Sequence, residues 1–147
     1  MFEKAVELDP TYGFALSLLA YSLSLEWRCD TTGSDVALDR ALELAKKAVQ
    51  LDDANSECNH LLGWVYLVRR TFDVAEYYYQ RALALNPNSP LNFEGIGEWL
   101  AYVGRADEAI KWFSQAKLVD PLFNPAWWWR MPEMPSLQCS ETATQIS

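Results

Sequence analysis

The chain has 147 residues, half of them apolar and 14% aromatic, and its net charge is −8. This length suits one domain with a sizeable core, and the composition excludes an intrinsically disordered chain. The negative charge argues against nucleic acid or an anionic membrane as partner, because both are bound through clustered lysine and arginine.

Cysteine usage and the N-terminal sequence indicate a cytoplasmic protein. Cys29, Cys58 and Cys139 are scattered without a CxxC pair, as expected for free thiols in a reducing compartment. The N-terminus has no signal-peptide pattern. The uncharged run at residues 10–25 is shorter than the roughly 20 residues that a membrane-spanning helix needs, so we predict a buried helix there.

A short sequence motif recurs along the chain from its first residues onward, in the forms KAVELDP, KAVQLDD, RALALNP and QAKLVDP. Its aligned alanines Ala48, Ala82 and Ala116 are equally spaced, whereas the step from Ala5 to Ala48 is longer. A fixed period of this kind, about 34 residues, indicates a repeated structural unit. The predicted array at 1–131 comprises a partial unit 1–12, an expanded unit 13–55, full units 56–89 and 90–123, and a truncated first helix 124–131.

Nine extra residues distinguish the expanded unit, and they fall around residues 28–35 between its two helices. Ser34 or Asp35 is predicted to cap a lengthened second helix that ends near Leu51. The insertion is either a plain surface excursion or a contact loop. Asp53 replaces the proline of the other units, which predicts a softer turn.

Each unit is predicted to form two antiparallel helices. Phe72, Ala75, Tyr79 and Ala82 follow the spacing of one helical face. A glycine inside a helix costs about 1 kcal/mol, so its presence at Gly63 predicts a close approach to Ala75. Ser89 with Pro90 marks a helix start, and Gly104 marks a left-handed helix end.

Both ends of the chain look incomplete, which suggests a fragment of a longer array or an early end of the reading frame. Trp127, Trp128 and Trp129 in the truncated helix could together expose an apolar patch of several hundred Å². We therefore hypothesise self-association through these tryptophans. The tail at 132–147 lacks periodicity and is predicted to be disordered.

The chain resembles the tetratricopeptide repeat family, whose unit is a helix–turn–helix of about 34 residues. The matching positions are Leu62, Gly63, Tyr66, Phe72, Ala75, Tyr79, Ala82 and Pro87, then Phe93, Ile96, Gly97, Gly104, Ala109, Phe113, Ala116 and Pro121. Asn59 departs from the pattern, because tryptophan is common there. The resemblance implies an all-α solenoid of antiparallel helix pairs that winds into a right-handed superhelix.

In this family the first helices of successive pairs line a concave groove that often holds a peptide or a helix. By position, the resemblance assigns to the groove Phe14, Tyr21, His60, Trp64, Leu67, Glu94 and Glu98. The lysines and asparagines with which some members grip a C-terminal carboxylate are absent. An aromatic and acidic groove predicts an apolar partner segment that bears lysine or arginine. Trp64 is either a partner anchor or a packing residue between neighbouring pairs.

The sequence shows no catalytic site, and we expect neither a metal nor another cofactor. His60 is the only histidine, and Cys58 lies two residues away on another helical face. No cysteine pair has zinc spacing.

These observations predict a non-catalytic scaffold for protein–protein interaction. A second interpretation comes from another resemblance: residues 61–90, YVGRADEAIKWF and NPAWWW are similar to repeat arrays attached behind bacterial class III adenylate cyclases. It implies a regulatory or sensory segment of a larger bacterial signalling enzyme.

Overall fold

The computed structural model describes residues 12–29 and 35–122, which form six helices joined by short turns. The helices are α1 (Gly13–Cys29), α2 (Val36–Leu51), α3 (Ser56–Val68), α4 (Phe72–Leu85), α5 (Pro90–Tyr102) and α6 (Ala106–Val119). They pack as three pairs, α1 with α2, α3 with α4, and α5 with α6. The second helix of one pair also packs against the first helix of the next, and α3 contacts both α1 and α5. The predicted all-α array of helix pairs is confirmed.

The repeat period is visible in the helix bounds, because α5 and α6 begin and end exactly one period after α3 and α4. The aligned alanines Ala48, Ala82 and Ala116 are fully buried where helices cross. A Cβ atom added at Gly63 would lie 3.3 Å from the carbonyl oxygen of Ala75 and 3.1 Å from the ring of Tyr79. The predicted approach of Gly63 to Ala75 is therefore confirmed, and the missing side chain also makes room for an aromatic ring.

The nine extra residues of the expanded unit are distributed differently from the sequence prediction. Helix α1 has 17 residues where α3 and α5 have 13, and α2 has 16 where α4 and α6 have 14. Both helices are therefore lengthened, and the first one by a full turn. Asp35 precedes α2 as predicted, but its side chain does not cap the helix. It accepts a hydrogen bond of 2.8 Å from Trp27 Nε1 instead.

The same type of turn ends α3 and α5, although the residues in the two turns differ. Gly104 has φ 88°, which confirms the predicted left-handed helix end, and Arg70 occupies the equivalent place in the preceding unit with φ 62°. In both turns the next backbone N–H reaches back to the helix, from Thr71 to Tyr66 over 2.9 Å and from Arg105 to Leu100 over 2.8 Å. The geometry of the turn therefore outweighs the cost of a left-handed arginine, about 1–2 kcal/mol.

Buried Asn59 stabilises the turn at Asp53, where the other units have proline. Its side-chain amide donates to the carbonyl oxygens of Asp53 over 3.0 Å and Asn55 over 2.9 Å. Asn55 in turn caps α3 by accepting from the backbone N–H of Cys58. Thus the polar residue at this position stabilises the turn that the sequence predicted to be soft. Ser89 lies at the start of α5 before Pro90, but its side chain makes no capping hydrogen bond.

The remaining segments lie outside the described residues. They are nearly all of the partial unit 1–12, residues 30–34 of the insertion in the expanded unit, the predicted truncated helix 124–131 with Trp127, Trp128 and Trp129, and the tail 132–147. Both interpretations of the insertion, a surface excursion or a contact loop, stay predictions. Self-association through these tryptophans stays a prediction. None of the helices in the described ranges is long and apolar enough to cross a lipid bilayer.

Candidate functional site

A cavity of about 280 Å³ lies along the first helices of the three pairs. Its lining residues all belong to α1, α3 or α5: Phe14, Leu18, Tyr21, Glu57, His60, Leu61, Trp64, Leu91, Glu94 and Glu98. We call this cavity the groove. Six of the seven residues predicted from the sequence line it, and the seventh, Leu67, is fully buried in the core.

Repeat symmetry explains why these residues meet. Phe14, Glu57 and Leu91 are equivalent positions at the starts of the three first helices, and Tyr21, Trp64 and Glu98 are equivalent positions two turns further on. Side chains three, four and seven residues apart share one face of a helix. Each first helix therefore contributes the same face, and the differences between units decide the chemistry of the groove.

Trp64 packs between two helix pairs. Only 2% of the residue is exposed, and its Nε1 donates a hydrogen bond of 2.9 Å to Ser24 Oγ on α1. The ring of Tyr21 lies 5.7 Å away, centre to centre. These contacts support the interpretation of Trp64 as a packing residue whose ring also forms part of the groove wall.

The additional turn of α1 brings a cation to the same place. Arg28 lies in that turn, and its Cζ atom stands 5.3 Å from the centre of the Trp64 ring. A guanidinium group over an indole ring is a favourable cation–π contact. Sequence reasoning did not assign Arg28 to the groove, although it follows Tyr21 by seven residues and so lies on the same helical face.

Glu94 and Glu98 are buried although they line the groove, each with 3% of its surface exposed. One carboxyl oxygen of each has no hydrogen-bond partner among the described residues. Burial raises the pKa of Glu94 to about 8. Burial also raises the pKa of Glu98 well above its ordinary value, the charge of Glu94 adds to this, and Arg28 partly offsets it. At neutral pH Glu94 is therefore mostly protonated, and the groove is less acidic than its composition indicated.

His60 lines the groove and packs against the core residue Tyr79. Its ring meets that of Tyr79 edge-on at 5.3 Å, and its Nδ1 has no partner among the described residues. A Cβ atom added at Gly95 would lie 2.7 Å from both rings, so the glycine lets them pack against α5. Burial lowers the pKa of His60 to about 4, so the ring is neutral at pH 7.

Cys58 does not join His60 in a nucleophilic pair. It packs with Leu16 and Ala48 in a separate cluster, and burial raises the pKa of its thiol. Within residues 12–29 and 35–122, no three His, Cys, Asp or Glu side chains are grouped as metal ligation requires.

The repeated hairpins, their constant period and the groove along their first helices agree with solved structures. A protein from Thermus thermophilus, TTC0263, which is described as a thermophilic TPR protein, superimposes with a TM-score of 0.70 at 22% identity. The match covers 92% of this chain and 70% of that one. The fold is that of the tetratricopeptide repeat proteins.

Two curated proteins of Schizosaccharomyces pombe are similar in sequence to this repeat array. Superkiller protein 3 is 29% identical over 122 residues, and Anaphase-promoting complex subunit 3 is 27% identical over 94 residues. These segments cover 82% and 64% of this chain but only 8% and 13% of the relatives. No family model matches the sequence.

Proposed function

We propose that the chain is a non-catalytic module for protein–protein interaction, whose groove binds a peptide or a helix segment that is apolar with a basic residue. The observation that carries this proposal is the groove itself, which is lined by equivalent positions of three first helices. Phe14, Leu18 and Leu91 offer apolar contacts, and Glu94 and Glu98 offer acceptors for a polar group. Pockets that combine apolar walls with a few convergent polar groups are typical of ligand sites.

The tetratricopeptide repeat fold and the similarity to short parts of much longer proteins, one of them a subunit of a complex, support a binding role rather than a chemical one. The relation to adenylate cyclases stays a prediction about the parent protein, as do a bacterial origin and a cytoplasmic location. Sequencing the genomic DNA on both sides of the coding segment tests the relation to adenylate cyclases, which predicts an upstream open reading frame that encodes a cyclase domain.

A peptide selection tests the proposed function. Random peptides of about a dozen residues, displayed on phage, are selected on the full chain, and the affinity of the recovered peptides is measured. Leu18→Arg places a long charged side chain in the groove, and we expect it to weaken binding at least tenfold. Ile110→Arg is the matched control, because Ile110 is 61% exposed on α6, outside the groove. Peptides that bind both variants equally well would show that the groove is not the binding surface.

A further inference from the structure

Two carboxyl groups line the groove, and one oxygen of each has no hydrogen-bond partner among the described residues. Glu94 and Glu98 are separated by one turn of α5 and therefore share a face. Each has only 3% of its surface exposed, and both line the groove with an unpartnered oxygen. A buried polar atom left without a partner destabilises the structure, because its lost hydrogen bond to water is not replaced. A ligand that donates hydrogen bonds to both oxygens would recover that free energy.

The surroundings of the pair are aromatic, with one cation at the edge. The titratable or charged groups that face the pair or line the same groove are Tyr21 and Arg28 on α1, Glu57 and His60 on α3, Tyr79 on α4 and Tyr102 on α5. Arg28 acts on Glu98, where it favours the ionised carboxylate. The guanidinium group of Arg28 thus shows that a cation fits against the Trp64 ring, beside the acid pair.

We propose that Glu94 and Glu98 form a subsite for one side-chain cation, the ammonium or guanidinium group of a partner's lysine or arginine, against the wall of Tyr21 and Trp64. An ammonium group has three N–H donors and a guanidinium group five, enough to reach both unpartnered oxygens. The aromatic rings attract a cation and reject an anion. This inference deepens the proposed function, because it assigns one part of the same groove.

Binding of the cation is linked to loss of a proton. The pKa of Glu94 stands near 8, so this carboxyl is mostly protonated at pH 7, and burial raises the pKa of Glu98 in the same direction. An incoming cation stabilises the carboxylate and lowers its pKa, so a proton leaves as the cation enters. Affinity for the cation therefore rises with pH below about 8, by up to tenfold per pH unit when one proton is released.

Small amines test the subsite directly on the full chain. The carboxyl carbons of glutamate are labelled with ¹³C, and their NMR shifts are followed from pH 5 to pH 10 with and without n-butylamine, which imitates a lysine side chain. We expect the midpoint of Glu94 to fall by about one pH unit in the amine. A parallel titration with n-butylguanidine distinguishes a lysine-like from an arginine-like site, and 1-butanol is the neutral control of the same length. Unchanged midpoints in both cations, or an equal change in butanol, would overturn the proposal.

Two variants connect the effect to the acid pair. In the Glu94→Gln variant, the amine should shift the titration midpoint of Glu98 less than in the original chain. In the double variant Glu94→Gln, Glu98→Gln, the weak binding of the amine should be lost. Glu43→Gln removes one exposed carboxylate from α2 and should behave as the original chain. Glutamine has nearly the shape of a protonated glutamate, so these variants are expected to fold. Amine binding that survives in the double variant would contradict the assignment.

The outcome separates this inference from the proposed function. Selected peptides that occupy the groove but contain neither lysine nor arginine would overturn the cation subsite and leave the peptide-binding role intact. A midpoint that moves with the amine, together with a groove that binds no peptide, would support the subsite and reject the proposed function.

Discussion

The buried acid pair predicts an unusual dependence of stability on pH. A carboxyl whose pKa is raised by folding holds its proton in the folded state at a pH where the unfolded chain has lost it. The protonated carboxyls therefore contribute their full share to the stability of the fold below about pH 4.5. This contribution is lost as the pH rises through the folded-state pKa, which is about 8 for Glu94 and is likewise raised for Glu98. His60 acts in the opposite sense, because its lowered pKa costs stability as the pH falls from 6.5 to about 4.

The magnitude follows from the number of protons involved. Each group that is protonated only in the folded state contributes a slope of about 1.4 kcal/mol per pH unit. Between pH 6.5 and 8 the unfolded chain loses the last half proton of His60, which raises the free energy of unfolding by less than about half a kcal/mol, so the glutamates dominate the slope. For Glu94 alone, the free energy of unfolding should then fall by about 1–2 kcal/mol over this range. Glu98, whose pKa is also raised, adds to the fall. A change of this size is readily measured against the roughly 5–15 kcal/mol that typically stabilises a domain.

Urea unfolding followed by circular dichroism measures this slope at pH 6.5, 7, 7.5 and 8. The double variant Glu94→Gln, Glu98→Gln should show a nearly constant free energy over this range, because neither position titrates. Glu43→Gln should follow the original chain. The m-values need to agree among the variants, since repeat arrays can lose cooperativity. A free energy that stays level or rises with pH in the original chain, or an equal slope in the double variant, would refute the reasoning.

Substitutions at three further positions test the packing. Arg70→Gly should raise the free energy of unfolding by about 0.5–1 kcal/mol, because glycine tolerates positive φ, whereas Arg70→Ala should bring no gain; urea midpoints of the two variants decide. Gly95→Ala should lower the melting temperature by several degrees, since the new methyl group would press on the buried rings of His60 and Tyr79 at a cost of about 1–3 kcal/mol that exceeds the gain in helix propensity; a higher melting temperature would contradict this. Ala82→Arg should abolish the helical signal of unit 56–89 in circular dichroism, because a charge would enter a fully buried helix crossing; an unchanged melting curve would count against the packing described above.

The groove was partly accessible to sequence reasoning. Equivalent positions in a repeat fall on the same face, so alignment of the units placed Phe14, Tyr21, His60, Trp64, Glu94 and Glu98 along one surface. Leu67 was assigned to that surface by the same alignment, but it lies in the core. Helical spacing selects a sector of the helix, and the edge of that sector depends on how closely the neighbouring helices approach.

The sequence by itself determined the repeat period, the helix pairs and the left-handed end of α5 at Gly104. These features depend on residue spacing, small side chains and local backbone conformation, which act over short distances along the chain. Only the tertiary structure decided that Glu94 and Glu98 are buried with raised pKa values, and that the additional turn of α1 carries Arg28 over Trp64. Desolvation and cation–π contact depend on which surfaces three stacked pairs remove from water, and residues far apart in the chain create those surfaces together.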